Sequence, residues 1–149
     1  MGFLSIRSWD LFFSSTPALG HGVNIRGFMN AGVAKEFRLR FPCMYREYRD
    51  MCAQGRLAAG SVHAWQDPRS GRWVYNLASQ DEPGAYARLE WLDSSARAMV
   101  EHASRHRVSK VALPRIGCGI GGLRWVDAER VLSGVARDAS AVQLEVWTG

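Results

Sequence analysis

Residues 114–122, Pro-Arg-Ile-Gly-Cys-Gly-Ile-Gly-Gly, place four glycines in a nine-residue stretch. Glycine lets main-chain N–H groups approach an anion closely and accepts positive φ, so such a turn at a helix start can cradle a phosphate. A tight turn with no ligand is the alternative. No Gly-Lys-Ser/Thr follows, which excludes a Walker loop, and G-x-G-x-x-G fits only loosely. Residues 23–34, Val-Asn-Ile-Arg-Gly-Phe-Met-Asn-Ala-Gly-Val-Ala, repeat the order of strand end, glycines and helix start. Two such loops can clasp a diphosphate from both sides. Asn24 carries donors and acceptors suited to ribose hydroxyls, or to its own turn backbone.

Other residues able to do chemistry are scattered. His21 has an ordinary pKa suited to acid or base work, although a lone histidine near a strand is more often a hydrogen-bonded core or loop residue. Asp81 and Glu82 form a carboxylate pair, of a kind usually just solvated. His102 and His106 are four apart on a helical pattern but lack an evident third ligand, so no metal is expected. Cys118 lies among amides that could lower its pKa, yet no histidine partner is assignable, and a small residue chosen for space is the simpler reading. Arg38, Arg40, Arg46 and Arg49 could flank a nucleic-acid-linked substrate or form a solvated helical face.

These residues need elements to position them. An alternating first strand is expected over 3–7, followed by Asp10 and a polar turn, then a buried strand over 18–25 delivering the first loop onto a helix from about Val33. Pro42 opens a second helix running to Gly55. Strands at 60–65 and 72–78 form a hairpin through Asp67-Pro68-Arg69-Ser70-Gly71. The longest helical pattern covers 86–105, with Leu89, Leu92, Ala96, Met99 and Ala103 as its apolar stripe. A strand over 108–113, the glycine loop, a helix over 125–139 and a strand over 142–147 complete an α/β layered order, in which ligands bind at loops leaving the carboxyl ends of strands.

Composition sets the outer limits. A chain of 149 residues, 47% hydrophobic and 22% charged, suits one soluble domain over 1–149 with its own core. The net charge of +5, carried by seventeen arginines and two lysines, attracts polyanions but names no partner. Three cysteines without a C-x-x-C spacing fit a reducing cytoplasm, and no apolar run approaches a membrane span. A monomer in the cytoplasm, without membrane, metal or cofactor, is the expectation.

The combination of Asp10, Val23-Asn24, the run from Gly27 to Ala34, and Leu113-Pro114-Arg115-Ile116-Gly117-Cys118-Gly119-Ile120-Gly121-Gly122-Leu123-x-Trp125 resembles the macrodomains. The likeness covers about 6–147. It is greatest to the branch holding the terminal ADP-ribose protein glycohydrolase and the antitoxin macrodomains that remove ADP-ribose from DNA. The resemblance implies an α/β fold, a three-layer α/β/α macrodomain with a mixed central sheet, and ADP-ribose as ligand. By the same likeness Asp10 receives the adenine amino group with Leu11 beside it, and Asn24 lies near the distal ribose. Gly32, Val33 and Ala34 form the first phosphate loop, and Arg115, Ile116, Gly117, Cys118, Gly119, Ile120 and Gly121 form the second.

One departure bears on catalysis. The related hydrolases carry a catalytic lysine where this chain has Gln80, and an amide neither attacks an anomeric carbon as an amine does nor acts as a base near neutrality. A second departure, Gly121 in place of the protein glycohydrolase's aspartate, is shared with the DNA-directed branch. Hydrolysis by another route would need a held water at the distal ribose, for which Asn24, His21, Ser79, Gln80 and Asp81 are the candidates. Two functions remain open: a hydrolase releasing mono-ADP-ribose from a modified protein or nucleic acid, and a module that reads ADP-ribose without turning it over.

Overall fold

The computed structural model describes residues 4–149. Its centre is one six-stranded sheet built from β1 (Leu4–Arg7), β2 (Ala18–Val23), β3 (Val62–Gln66), β4 (Trp73–Ala78), β5 (Lys110–Leu113) and β6 (Gln143–Trp147). The strand order is β1-β6-β5-β2-β4-β3, parallel throughout except for the edge pair β3–β4, whose hairpin turn is the one expected from Pro68 and Gly71. Parallel strands buried on both faces need near-continuous apolar runs, and β4 and β5 have them. The interior strands β2, β4, β5 and β6 splay at one place. Strand β2 pairs with β4 along all six residues but with β5 only at Ala18↔Val111 and Leu19↔Ala112. Beyond Leu19 the two strands part, and a crevice opens at their carboxyl ends.

Helices α1 (Gly32–Arg40) and α2 (Pro42–Ala53) cover one face, where Phe37, Met44 and Tyr48 pack on Leu19, Val23, Val74 and Ala112. Helices α3 (Leu89–Arg105) and α4 (Trp125–Asp138) cover the other, with Leu92, Ala96, Met99, Leu132 and Val135 packed against Tyr75, Leu77, Val111 and Leu144. Neighbouring strand residues such as Val74 and Tyr75 thus enter opposite cores, as the two-residue pleat requires. This is the expected mixed sheet between two helical layers. The α3 stripe is as read from the sequence, but the helix starts at Leu89 and not at Tyr86. Ala87 instead forms an isolated antiparallel bridge with Gln80, and the Arg88 amide donates to the Ser79 carbonyl. Local pairing to the end of β4 therefore outcompetes helix propensity over residues 86–88. Phe3, expected to begin the first strand, lies outside the described residues.

Candidate functional site

The crevice is a cleft of about 530 Å³ at the carboxyl ends of β2, β4 and β5. Its walls are the two glycine loops. On one side α1 begins with Gly32, Val33 and Ala34, all lining the cleft, and its N-cap Ala31 makes no side-chain capping bond. The first internal bond of the helix is Lys35 N–H to the Ala31 carbonyl, so the three preceding amides have no acceptor among the described residues. On the other side Gly119, Ile120 and Gly121 line the cleft, and their amides likewise lack an acceptor among the described residues. Gly117 (φ 76°) and Gly122 (φ 85°) turn the chain through the left-handed region, which frees these amides to face outward. Six open N–H groups and the positive end of α1 converge on one space, an arrangement suited to a diphosphate.

The loops are held differently. Asn24 Oδ1 accepts from the amides of Arg26 (2.9 Å) and Phe28 (3.4 Å), and its Nδ2 donates to the Phe28 carbonyl (2.9 Å). The Tyr48 hydroxyl donates to the Asn24 carbonyl at 2.7 Å, and the Tyr45 hydroxyl to the Gly27 carbonyl at 2.9 Å. Burial drives the Tyr48 pKa upward, so the hydroxyl keeps its proton. The second loop has no such side-chain clamps. It closes on itself through Cys118 N–H to the Arg115 carbonyl and Leu123 N–H to the Gly117 carbonyl, and the Ala87 amide joins it to the segment after Gln80.

Residues 21–132 match the Macro domain family model, three-quarters of the chain. The chain belongs to the macro domain family. It is 28% identical over 131 residues, 87% of its length, to a protein of Mycobacterium tuberculosis named DNA ADP-ribosyl glycohydrolase, of which it spans only 37%. A human protein named ADP-ribose glycohydrolase OARD1 is 27% identical over 140 residues, with 93% of this chain and 87% of the human one aligned. Among solved structures, the macrodomain of Mycobacterium tuberculosis DarG superposes with a TM-score of 0.92 at 25% identity, covering 100% of this chain and 99% of the other.

The side chains facing the cleft of this macro domain are mostly committed. Burial favours the neutral form of His21. It is fully buried, stacked on Phe37 at 3.7 Å, and its Nε2 donates to Asn76 Oδ1 at 2.6 Å. Burial holds its pKa down near 3, only partly offset by the Asn76 bond, an environment that matches the core-histidine alternative. Asn24 lines the cleft with its amide spent on its own loop, the turn-backbone alternative to a free ribose contact. Gln80 donates both amide hydrogens to carbonyls of the following segment, Glu82 at 2.6 Å and Gly84 at 3.0 Å, which staples that segment at the cleft wall. Ser79 lies at the floor with its hydroxyl buried and unpartnered, above Gly22, whose missing Cβ leaves room for it.

Asp81 does not join this group. Neither it nor Glu82 lines the cleft; Glu82 pairs with Arg26 at 3.6 Å, joining the first loop to the segment after Gln80. Carboxylates and lysines are absent from the lining among the described residues. Asp10 and Leu11 follow the carboxyl end of β1 and lie outside the cleft proper; Asp10 Oδ1 caps a short 3-10 helix, Leu11–Phe13, by accepting from the Phe12 amide at 2.9 Å. The Cys118 thiol pKa is pushed up by burial, which outweighs the nearby Arg115, so the loop does not favour its thiolate. His102 and His106 stack at 4.0 Å with no third ligand, and no group of three or more metal-ligating side chains occurs among the described residues. No described helix is long and apolar enough to cross a membrane. The sequence reading missed Tyr45 and Tyr48 as loop clamps, because their helical spacing is also that of a core stripe.

Proposed function

We propose that this chain binds ADP-ribose in the cleft and hydrolyses its bond to a modified protein or nucleic acid, without a lysine nucleophile. The observation that carries this reading is the pair of loops presenting six uncapped amides to one space, three from Gly32, Val33 and Ala34 and three from Gly119, Ile120 and Gly121. Main-chain donors satisfy phosphate oxygens at fixed geometry with no side-chain ordering cost. Arg115, at the same wall, adds positive charge. The adenine would extend toward Asp10 and Leu11, where the Asp10 oxygen not used in capping accepts from the exocyclic amine. The names of the relatives, DNA ADP-ribosyl glycohydrolase and ADP-ribose glycohydrolase, agree with this ligand.

Turnover would run through the distal ribose. Its anomeric carbon gains oxocarbenium character as the bond to the macromolecule breaks, the bound diphosphate offsets that charge, and a water held near Ser79 and the free Gln80 oxygen attacks. His21 stays neutral, so no protein base takes the water proton: the electron pair of the broken bond leaves with the departing group, water adds to the oxocarbenium-like carbon, and its proton passes to solvent. The departing group receives no proton from the protein. Bonds to good leaving groups, such as a carboxylate or a nucleobase nitrogen able to carry charge, are therefore the ones cut.

A second reading, favoured by the stapled Gln80, is a reader that holds ADP-ribose unchanged. Calorimetry with ADP-ribose and a time course on ADP-ribosylated DNA and protein separate them. Substoichiometric release from either substrate supports the hydrolase. Tight binding with no release leaves the reader, and absence of binding refutes both.

A further inference from the structure

Besides the buried Ser79 hydroxyl, an exposed residue at the cleft wall, Asn30, has a side-chain donor that no described protein group accepts. Asn30 lines the cleft two positions before α1 starts. Its Oδ1 accepts from Arg38 Nη1 at 3.1 Å, across the first two turns of the helix. Arginine has only donors, so this contact fixes the orientation of the Asn30 amide: oxygen toward Arg38, NH2 group away from it. Arg38 is itself held, with its guanidinium 5.8 Å above the Tyr45 ring. The contrast with the other cleft amides is plain, since Asn24 and Gln80 have spent their N–H groups on backbone carbonyls. Asn30 adjoins Ala31, the N-cap that supplies no side chain to the open amides of α1.

We propose that Asn30 is a ligand-orienting residue: its side-chain N–H donates to the diphosphate beside the α1 amides, and Arg38 selects the end of the amide that faces it. The proposal rests on the ADP-ribose reading above and adds a seventh donor to the six main-chain ones. Arg38 acts here through Asn30 and not as a direct charge.

Calorimetry with ADP-ribose on the full chain tests this. N30A weakens binding about tenfold, as expected for one hydrogen bond to a charged acceptor. N30D weakens it further, because an acceptor-only carboxylate then faces an anion. R38A weakens it less than N30A, and in the N30A background R38A has no further effect, the non-additivity of residues acting as one unit. The Asn30 side-chain NH2 resonances of the 15N-labelled protein shift on titration, a readout that a purely structural role would not move. ADP keeps the N30A loss, whereas adenosine, which has no phosphate, abolishes it. Wild-type affinity in N30A, full additivity of R38A, or a loss confined to ADP-ribose and absent with ADP each overturns the proposal while leaving the ADP-ribose reading intact. Failure of the unaltered protein to bind ADP-ribose overturns that reading instead.

Discussion

The two loops that frame the cleft do the same job by opposite means. The first, leading into α1, is shaped by side chains: Asn24 folds it, and Tyr45 and Tyr48 pin it from α2. The second is shaped by their absence, with Gly117 and Gly122 at positive φ and Gly121 packed directly on the Gly117 backbone. The first loop should therefore be sensitive to removing atoms and the second to adding them.

The largest effect is expected at Gly121. A Cβ there would lie 2.7 Å from the Gly117 carbonyl oxygen, a backbone contact that cannot yield by rotating a side chain. G121V should lose ADP-ribose binding and roughly 2–4 kcal/mol of stability by denaturant titration, within the usual range for steric overpacking. Gly119 sharpens the point, since a Cβ there meets nothing within 4 Å and its φ is not positive. G119V should melt like the parent yet bind ADP-ribose at least about a hundredfold more weakly, because the branched side chain occupies the approach to the amides. Retained affinity in G119V would remove the second loop from the site.

Acid should act next, chiefly through the histidines on the first loop's side of the sheet. His21 Nε2 donates to Asn76 Oδ1, Asn76 Nδ2 donates to His63 Nδ1 at 2.9 Å, and His63 Nε2 lies 3.6 Å from Glu47. Burial depresses the pKa of both histidines, with Glu47 only partly opposing it at His63, and His102 is lowered as well. Above pH 6.5 these groups are neutral in native and unfolded chains alike, and their contribution is complete. As pH falls from 6.5 toward 3 the unfolded chain protonates His21 while the native core refuses the proton, so stability declines by roughly 1 kcal/mol per pH unit from this residue, with further losses in the same direction from His63 and His102. A melting midpoint unchanged between pH 7 and 4.5 would contradict this.

Y48F tests the side-chain clamp itself. Loss of the hydroxyl leaves the Asn24 carbonyl without its 2.7 Å donor, and a cost of about 1–2 kcal/mol is expected, with a severalfold loss of ADP-ribose affinity as the first loop loosens. The smallest effect belongs to R26A. The Arg26–Glu82 pair, at 3.6 Å, is about half exposed on both sides, so its removal should change stability by less than about 0.5 kcal/mol.

Much of this site was legible in residue order. The glycine spacing of 114–122, the Asn24–Ala34 stretch and the alternation of strands with helices pointed to a diphosphate clasp at strand ends, because glycine content and periodicity are local properties. Asn30 was legible only as part of a motif. Its free donor depends on Arg38, eight residues along a helix, and no spacing rule predicts which end of an amide such a contact turns outward. The role of His21 was equally hidden. Its partner Asn76 sits 55 positions away and meets it only because β2 and β4 pair in register.

The order of residues by itself determined the layered fold and the two glycine-bearing turns at strand ends, since hydrophobic period and glycine placement are written along the chain. Tertiary structure alone decided which polar groups are spent and which are free. It parted β2 from β5 after Leu19 to open the cleft, buried His21 in an environment that favours its neutral form, tied Asn24 and Gln80 to their own segments, and left six loop amides and the Asn30 side-chain N–H without a described protein acceptor. Hydrogen-bond capacity is finite, and only packing in three dimensions determines where it is consumed.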